Sequence, residues 1–112
     1  MGRKHHTIIL GDGNIRIDIS ITTDKGRVKT FSVNLSVLVD DKRIDVVRWD
    51  TSHGYLHKHE FWRTHRCIKD RRYGGMPLEI VLDRVKEDVK RNWAKYAKKM
   101  LEYEKKNNII KN

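Results

Sequence analysis

Ile15-Arg16-Ile17-Asp18-Ile19-Ser20-Ile21-Thr22 places an apolar residue at every odd position and a polar one at every even position. Successive side chains of a strand point to opposite faces, so this alternation describes a strand with one side in a core and the other in water. Phe31-Ser32-Val33-Asn34-Leu35-Ser36-Val37-Leu38-Val39 repeats the pattern, again with odd positions inward. Asp24-Lys25-Gly26-Arg27 between them carries the residues of a tight hairpin. Toward the N-terminus, Gly11-Asp12-Gly13-Asn14 is a second turn, preceded by a short strand Thr7-Ile8-Ile9-Leu10. Toward the C-terminus, Asp40-Asp41-Lys42-Arg43 reverses the chain into a strand over Arg43–Asp50. Alternation blurs at Val46-Val47, as a β-bulge or a strand buried on both sides would make it.

The last third reads differently. After Pro77, a residue tolerated at the first helical position, Leu78, Val81, Leu82, Val85, Val89, Trp93, Tyr96, Ala97, Met100 and Leu101 recur at steps of three and four. That is the apolar stripe of one amphipathic helix over 77–104. The expected fold is α+β: an antiparallel meander of four to five strands covered by one long C-terminal helix. The expected organisation is a single domain, 1–112. A sheet with a histidine-rich segment spans about 7–66, a basic loop 67–76, and a fraying tail 105–112.

At 112 residues the chain supports one core. No apolar run approaches the roughly 20 residues of a spanning helix, and the basic N-terminus runs into a strand rather than a signal peptide, so no membrane partner is expected. The single cysteine forbids an intramolecular disulfide and fits a reducing cytoplasm. Glutamine is absent while Lys, Arg, Glu and Ile abound, a composition that leans toward a heat-adapted source. The net charge is +10. Lys and Arg outnumber acids six to four over residues 1–40, nine to five over 41–76 and ten to six over 77–112, excesses of +2, +4 and +4. Such a surplus suits a polyanionic partner, most simply nucleic acid.

Four of the six histidines, the cysteine, two of the three tryptophans and three arginines fall within residues 46–67. His57 and His59 are two apart, so on a strand both rings project from one face, and His53 lies across the turn from them. Imidazole titrates near neutrality and serves as general base or general acid. Phosphodiester transfer within RNA needs one group to take the 2′-hydroxyl proton, another to protonate the leaving 5′-oxygen, and cations for the charged intermediate. His53, His57, His59, Arg48 and Asp50 are the candidate catalytic residues, with Asp50 to orient a histidine. Lys58, Arg63, Arg66, Arg71, Arg72, Arg91, Lys95 and Trp62 are the candidate nucleic-acid contacts, Trp62 as a stacking surface.

The same histidines admit a second chemistry, a zinc or other divalent metal bound by His-x-His and a third histidine, with Cys67 or Asp50 as a further ligand. The spacing matches no specific metal motif. The acid–base reading needs no cofactor. A non-catalytic module binding nucleic acid through the basic helix and the Arg71-Arg72 loop is a third reading.

Val47-Arg48-Trp49-Asp50-Thr51-Ser52-His53-Gly54-Tyr55-Leu56-His57 resembles the Arg-Tyr/Trp-Asp…His-Gly…His signature of small prokaryotic proteins related to the TumE-type toxins of toxin–antitoxin systems. The resemblance covers roughly residues 31–66 and places Arg48, Asp50, His53 and His57 on the motif positions. It implies a small toxin-like ribonuclease whose protein partner is a cognate antitoxin. His59, the Arg71-Arg72 loop and the basic helix lie outside the match. RNA is the leading expected partner. A second copy of the chain is a further expectation, because small sheets pair through edges or faces.

Overall fold

The computed structural model describes residues 1–52, 54–63, 67–70 and 73–107, with Cys67 described by its backbone alone. Among these, six strands form one antiparallel sheet in chain order: β1 (Gly2–Leu10), β2 (Ile15–Asp24), β3 (Arg27–Val39), β4 (Lys42–Asp50), β5 (His57–Glu60) and β6 (Cys67–Lys69). A single helix, α1 (Leu78–Lys106), lies over β3 and β4. The fold is therefore the expected α+β meander with a covering helix, extended by one strand at its far edge. No helix among the described residues is long and apolar enough to cross a membrane.

The odd positions of the two alternating stretches build the core. Ile15, Ile17, Ile19, Phe31, Val33, Leu35 and Val37 are all buried, and β4 adds Val46, Val47 and Trp49. Helix residues Val81, Leu82, Val85, Val89, Tyr96, Ala97 and Met100 meet them, the stripe spacing described above. Trp93 packs against the margin of this core.

Turn chemistry sets the hairpins. Lys25 and Gly26 both take positive φ (52° and 77°), as do Asp40 and Asp41 (50° and 64°). These are two-residue connections of the mirror-image type whose twist matches the strands they join. The blurred alternation at Val46-Val47 is a bulge. Leu35 pairs with Val47 but Ser36 pairs with Asp45, so Val46 is the extra residue on β4. The bulge buries both valines and restores the alternation so that Trp49 faces inward while Arg48 and Asp50 face outward.

Three sequence expectations need correcting. The first strand is not four residues but nine, pairing with β2 from Gly2↔Thr23 to Leu10↔Ile15. His5 and His6 thus sit in the sheet's edge strand. Beyond β4, the histidine-rich segment expected to continue the sheet to about residue 66 is strand only over His57–Glu60 among the described residues, because the chain turns at Phe61-Trp62. The expected loop 67–76 begins as β6, pairing His59↔Cys67 and His57↔Lys69. A three-residue strand is too short to show alternation, and Ile68, the apolar residue at its centre, is itself exposed.

Candidate functional site

Register decides which side chains meet. Across β4 and β5, Arg48 pairs with His59 and Asp50 with His57, and directly opposed residues hold their Cβ atoms about 4.5–5.5 Å apart. Because β4 has recovered its alternation past the bulge, all four side chains leave the sheet on the side away from α1. Asp50 is fixed in two ways: its Oδ1 accepts the Ser52 N–H at 2.6 Å, and its Oδ2 lies 3.5 Å from Arg48 Nε. Arg48 and Asp50 remain 47% and 28% exposed, open enough to meet a ligand. His57 packs its ring against Tyr55 (centroids 4.2 Å) and His59 stacks on Phe61 (4.1 Å, 14° between planes). Lys69, opposite His57, sets its ammonium 4.3 Å from the Tyr55 ring.

The same face continues across the sheet. Asp50 pairs with Ser32, Ser32 with Ser20 and Ser20 with His5. A groove of about 440 Å³ runs along this row, walled by Arg3 and His5 on β1 and by Arg48, Asp50 and Ser52 at the other side. Ser20, Thr22, Thr30 and Ser32 contribute its hydroxyls. His5 is held in place: Nδ1 is 3.0 Å from Ser20 Oγ, and Nε2 is 3.4 Å from Asp18 Oδ1 and 3.3 Å from Thr7 Oγ1. Sequence reading did not single out Arg3, His5 or the hydroxyl row. The even-position hydroxyls of the two alternating strands were the available signal, and carrying the hairpin register through to β1 would have found them.

Of the residues expected to act, the structure assembles Arg48, Asp50, His57 and His59. His53, Arg66, Arg71 and Arg72 lie outside the described residues, as does the Cys67 side chain offered as a metal ligand. Among the described residues, no group of three or more His, Cys, Asp or Glu side chains is arranged to hold a metal ion.

Lys58 corrects its expectation. It pairs with Trp49, whose side chain is inward, so its own side chain runs beneath the sheet toward α1. There Nζ donates to Tyr96 Oη at 3.3 Å, approaches Glu60 Oε2 at 3.8 Å and sits 5.3 and 4.9 Å from the Trp49 and Tyr96 ring centres. Tyr96 Oη in turn donates to Asp88 at 2.7 Å. With the side chain only 16% exposed, Lys58 fastens β5 to the helix rather than presenting charge to a partner. Trp62 is likewise turned to the helix, stacked on Tyr96 (5.8 Å, 22°) with Lys99 over its ring, which leaves it partly buried. Arg63 pairs with Glu60 at 3.2 Å and stays half exposed.

Arg91 and Lys95 are exposed on α1, in the layer on the other side of the sheet from His57 and His59. Arg91 lines a separate depression of about 420 Å³ with Tyr73, Arg84 and Asp88. The basic helix and the histidine face are therefore two surfaces, not one.

The chain belongs to the family described as a domain of unknown function (DUF7718), whose model matches residues 1–109. No curated protein and no solved structure matches it.

Proposed function

We propose that the outer face of the sheet binds single-stranded RNA and cleaves it by acid–base chemistry at His57 and His59. The observation that carries this reading is the register of β4 and β5, which sets Arg48, Asp50, His57 and His59 as adjacent pairs on an open face. Two imidazoles two residues apart on a strand stand about 7 Å apart, a separation that lets them address opposite sides of one phosphate. One takes the proton of the 2′-hydroxyl as its oxygen attacks the adjacent phosphorus. The other gives a proton to the departing 5′-oxygen, leaving a 2′,3′-cyclic phosphate and a free 5′-hydroxyl. Arg48, beside His59, supplies positive charge where the phosphorane develops its negative charge. Asp50, opposite His57, is placed to steady that ring. Tyr55 and Phe61, already against the two histidines, offer planar surfaces to unpaired bases. The resemblance of Arg48, Asp50, His53 and His57 to the TumE-type signature supports the same reading, and under it a cognate antitoxin would cover this face.

The test is cleavage of a mixed-sequence single-stranded RNA by the purified chain in excess EDTA. His57→Gln and His59→Gln are each expected to reduce the rate by about 10²–10⁴-fold with folding retained. Cleavage only after addition of Zn²⁺ or Mn²⁺ would replace the acid–base reading with the metal one. RNA bound but never cleaved, with or without metal, would leave a binding module.

A further inference from the structure

We infer that the groove between β1 and β4 is a subsite for the RNA strand flanking the scissile phosphate, so that substrate runs across the strands from β5 toward β1. This rests on the reading of His57 and His59 given above. Three observations carry it. The groove begins at Arg48 and Asp50, the partners of the two histidines, so it is continuous with the site rather than remote from it. Its far wall carries the guanidinium of Arg3 and the imidazole of His5, which face Arg48 across the hydroxyls of Ser20 and Ser32. Its span also suits an extended strand: three interstrand steps separate β4 from β1, about 14 Å at the spacing of hydrogen-bonded strands.

The chemistry specifies the ligand. Arginine forks and hydroxyl donors suit phosphate and 2′-hydroxyl oxygens, which the ribose-phosphate backbone presents at regular intervals. Asp50 also lines the groove, and its carboxylate is occupied by the Ser52 N–H and the Arg48 side chain, which lessens its repulsion of a phosphate. A row about 14 Å long with Arg3 at one end and Arg48 at the other serves one extended backbone. The inferred substrate class is therefore single-stranded, with recognition reaching beyond the two nucleotides at the cleaved bond.

The experiment compares binding of a dinucleotide and a hexanucleotide, both oligouridylates with a 2′-deoxy sugar at the cleavage position, to wild type and to Arg3→Ala. Wild type is expected to bind the hexanucleotide at least tenfold more tightly than the dinucleotide. Arg3→Ala should remove most of that advantage and lower the slope of log K against log salt by about 0.7, the loss of one single-strand phosphate contact. Amide chemical shifts of Ser20 and Ser32 should move with the hexanucleotide and not with the dinucleotide. Equal affinity for both lengths, or an Arg3→Ala protein that keeps the full advantage and slope, overturns the subsite. If that happens while His57→Gln still abolishes cleavage, only the groove inference fails. If wild type binds neither oligonucleotide, the ribonuclease reading fails with it.

Discussion

Single side chains in this protein divide by the face they leave from, and Lys58 shows how much that decides. Neighbouring Lys58 and His59 are both cation-forming and close in sequence, yet one lies under the sheet among Trp49, Tyr96 and Glu60 and the other on its open side. Lys58→Ala is expected to destabilise the fold by about 1–3 kcal/mol in urea unfolding, through loss of the ammonium's contacts with Tyr96 and Glu60. The salt slope of RNA binding should not change. A reduced slope with unaltered stability would put Lys58 on the RNA instead. Glu79 makes a second residue-scale case. Its carboxylate accepts the Val28 N–H at 2.7 Å and faces Arg27 at 3.3 Å. The Val28 hydrogen bond, its own backbone N–H and the Arg27 charge together hold the carboxyl below its ordinary range against the opposing effect of desolvation. A depressed folded-state pKa contributes stability above the unfolded value, and that contribution disappears as pH falls through the folded value. Glu79→Gln should therefore lower Tm at neutral pH, with the two melting curves converging as the pH drops below the ordinary glutamate range. A gap in Tm that persists unchanged at pH 2 would mean the contact is not one of charge.

The hairpin turns and the bulge are where elements gain their register, and here the sequence was uneven in what it disclosed. Gly11-Asp12-Gly13-Asn14 and Asp24-Lys25-Gly26-Arg27 were readable because glycine marks the positive φ such turns need. Asp40-Asp41 does the same work without glycine, at φ 50° and 64°, a conformation that costs a side-chain-bearing residue energy. Replacing the pair with Asn-Gly, the preferred sequence for this turn, is expected to stabilise the protein by about 1 kcal/mol and raise Tm by about 4 °C. RNA cleavage should be unaffected, since the turn joins β4 at the end opposite Asp50. No gain in Tm would show that aspartates already relax there. The blur at Val46-Val47 announced an irregularity, while its identity as a bulge came from pairing with Leu35 and Ser36. β6 was invisible for a simpler reason: three residues carry no period, and their strand character comes from the hydrogen bonds of β5 alone.

At the scale of the molecule, one sheet separates two basic surfaces: the histidine face with its groove, and the solvent side of α1 carrying Arg91 and Lys95. The sequence by itself determined the layer arrangement, because strict alternation over Ile15–Thr22, inward odd positions over Phe31–Val39 and a helical stripe from Leu78 each admit one way of burying apolar surface. That His57 and His59 would share a face followed from the sequence only on condition that their segment is a strand, and the pairing of β5 with β4 supplied that condition. What the sequence left undetermined was the company they keep. Arg48 opposite His59, Asp50 opposite His57, and Ser32, Ser20 and His5 beyond them are consequences of pairing passed from each strand to the next, which sets residues as distant in sequence as His5 and His57 on one row. The step from a polar even position to a groove wall needed that pairing. So did the inward turn of Lys58, whose charge is compatible with burial because Glu60 and Tyr96, the latter bonded in turn to Asp88, meet it from two elements. Local pattern is written in the polymer's own period, whereas a site is made by contacts across strands, and only the folded chain brings those into register.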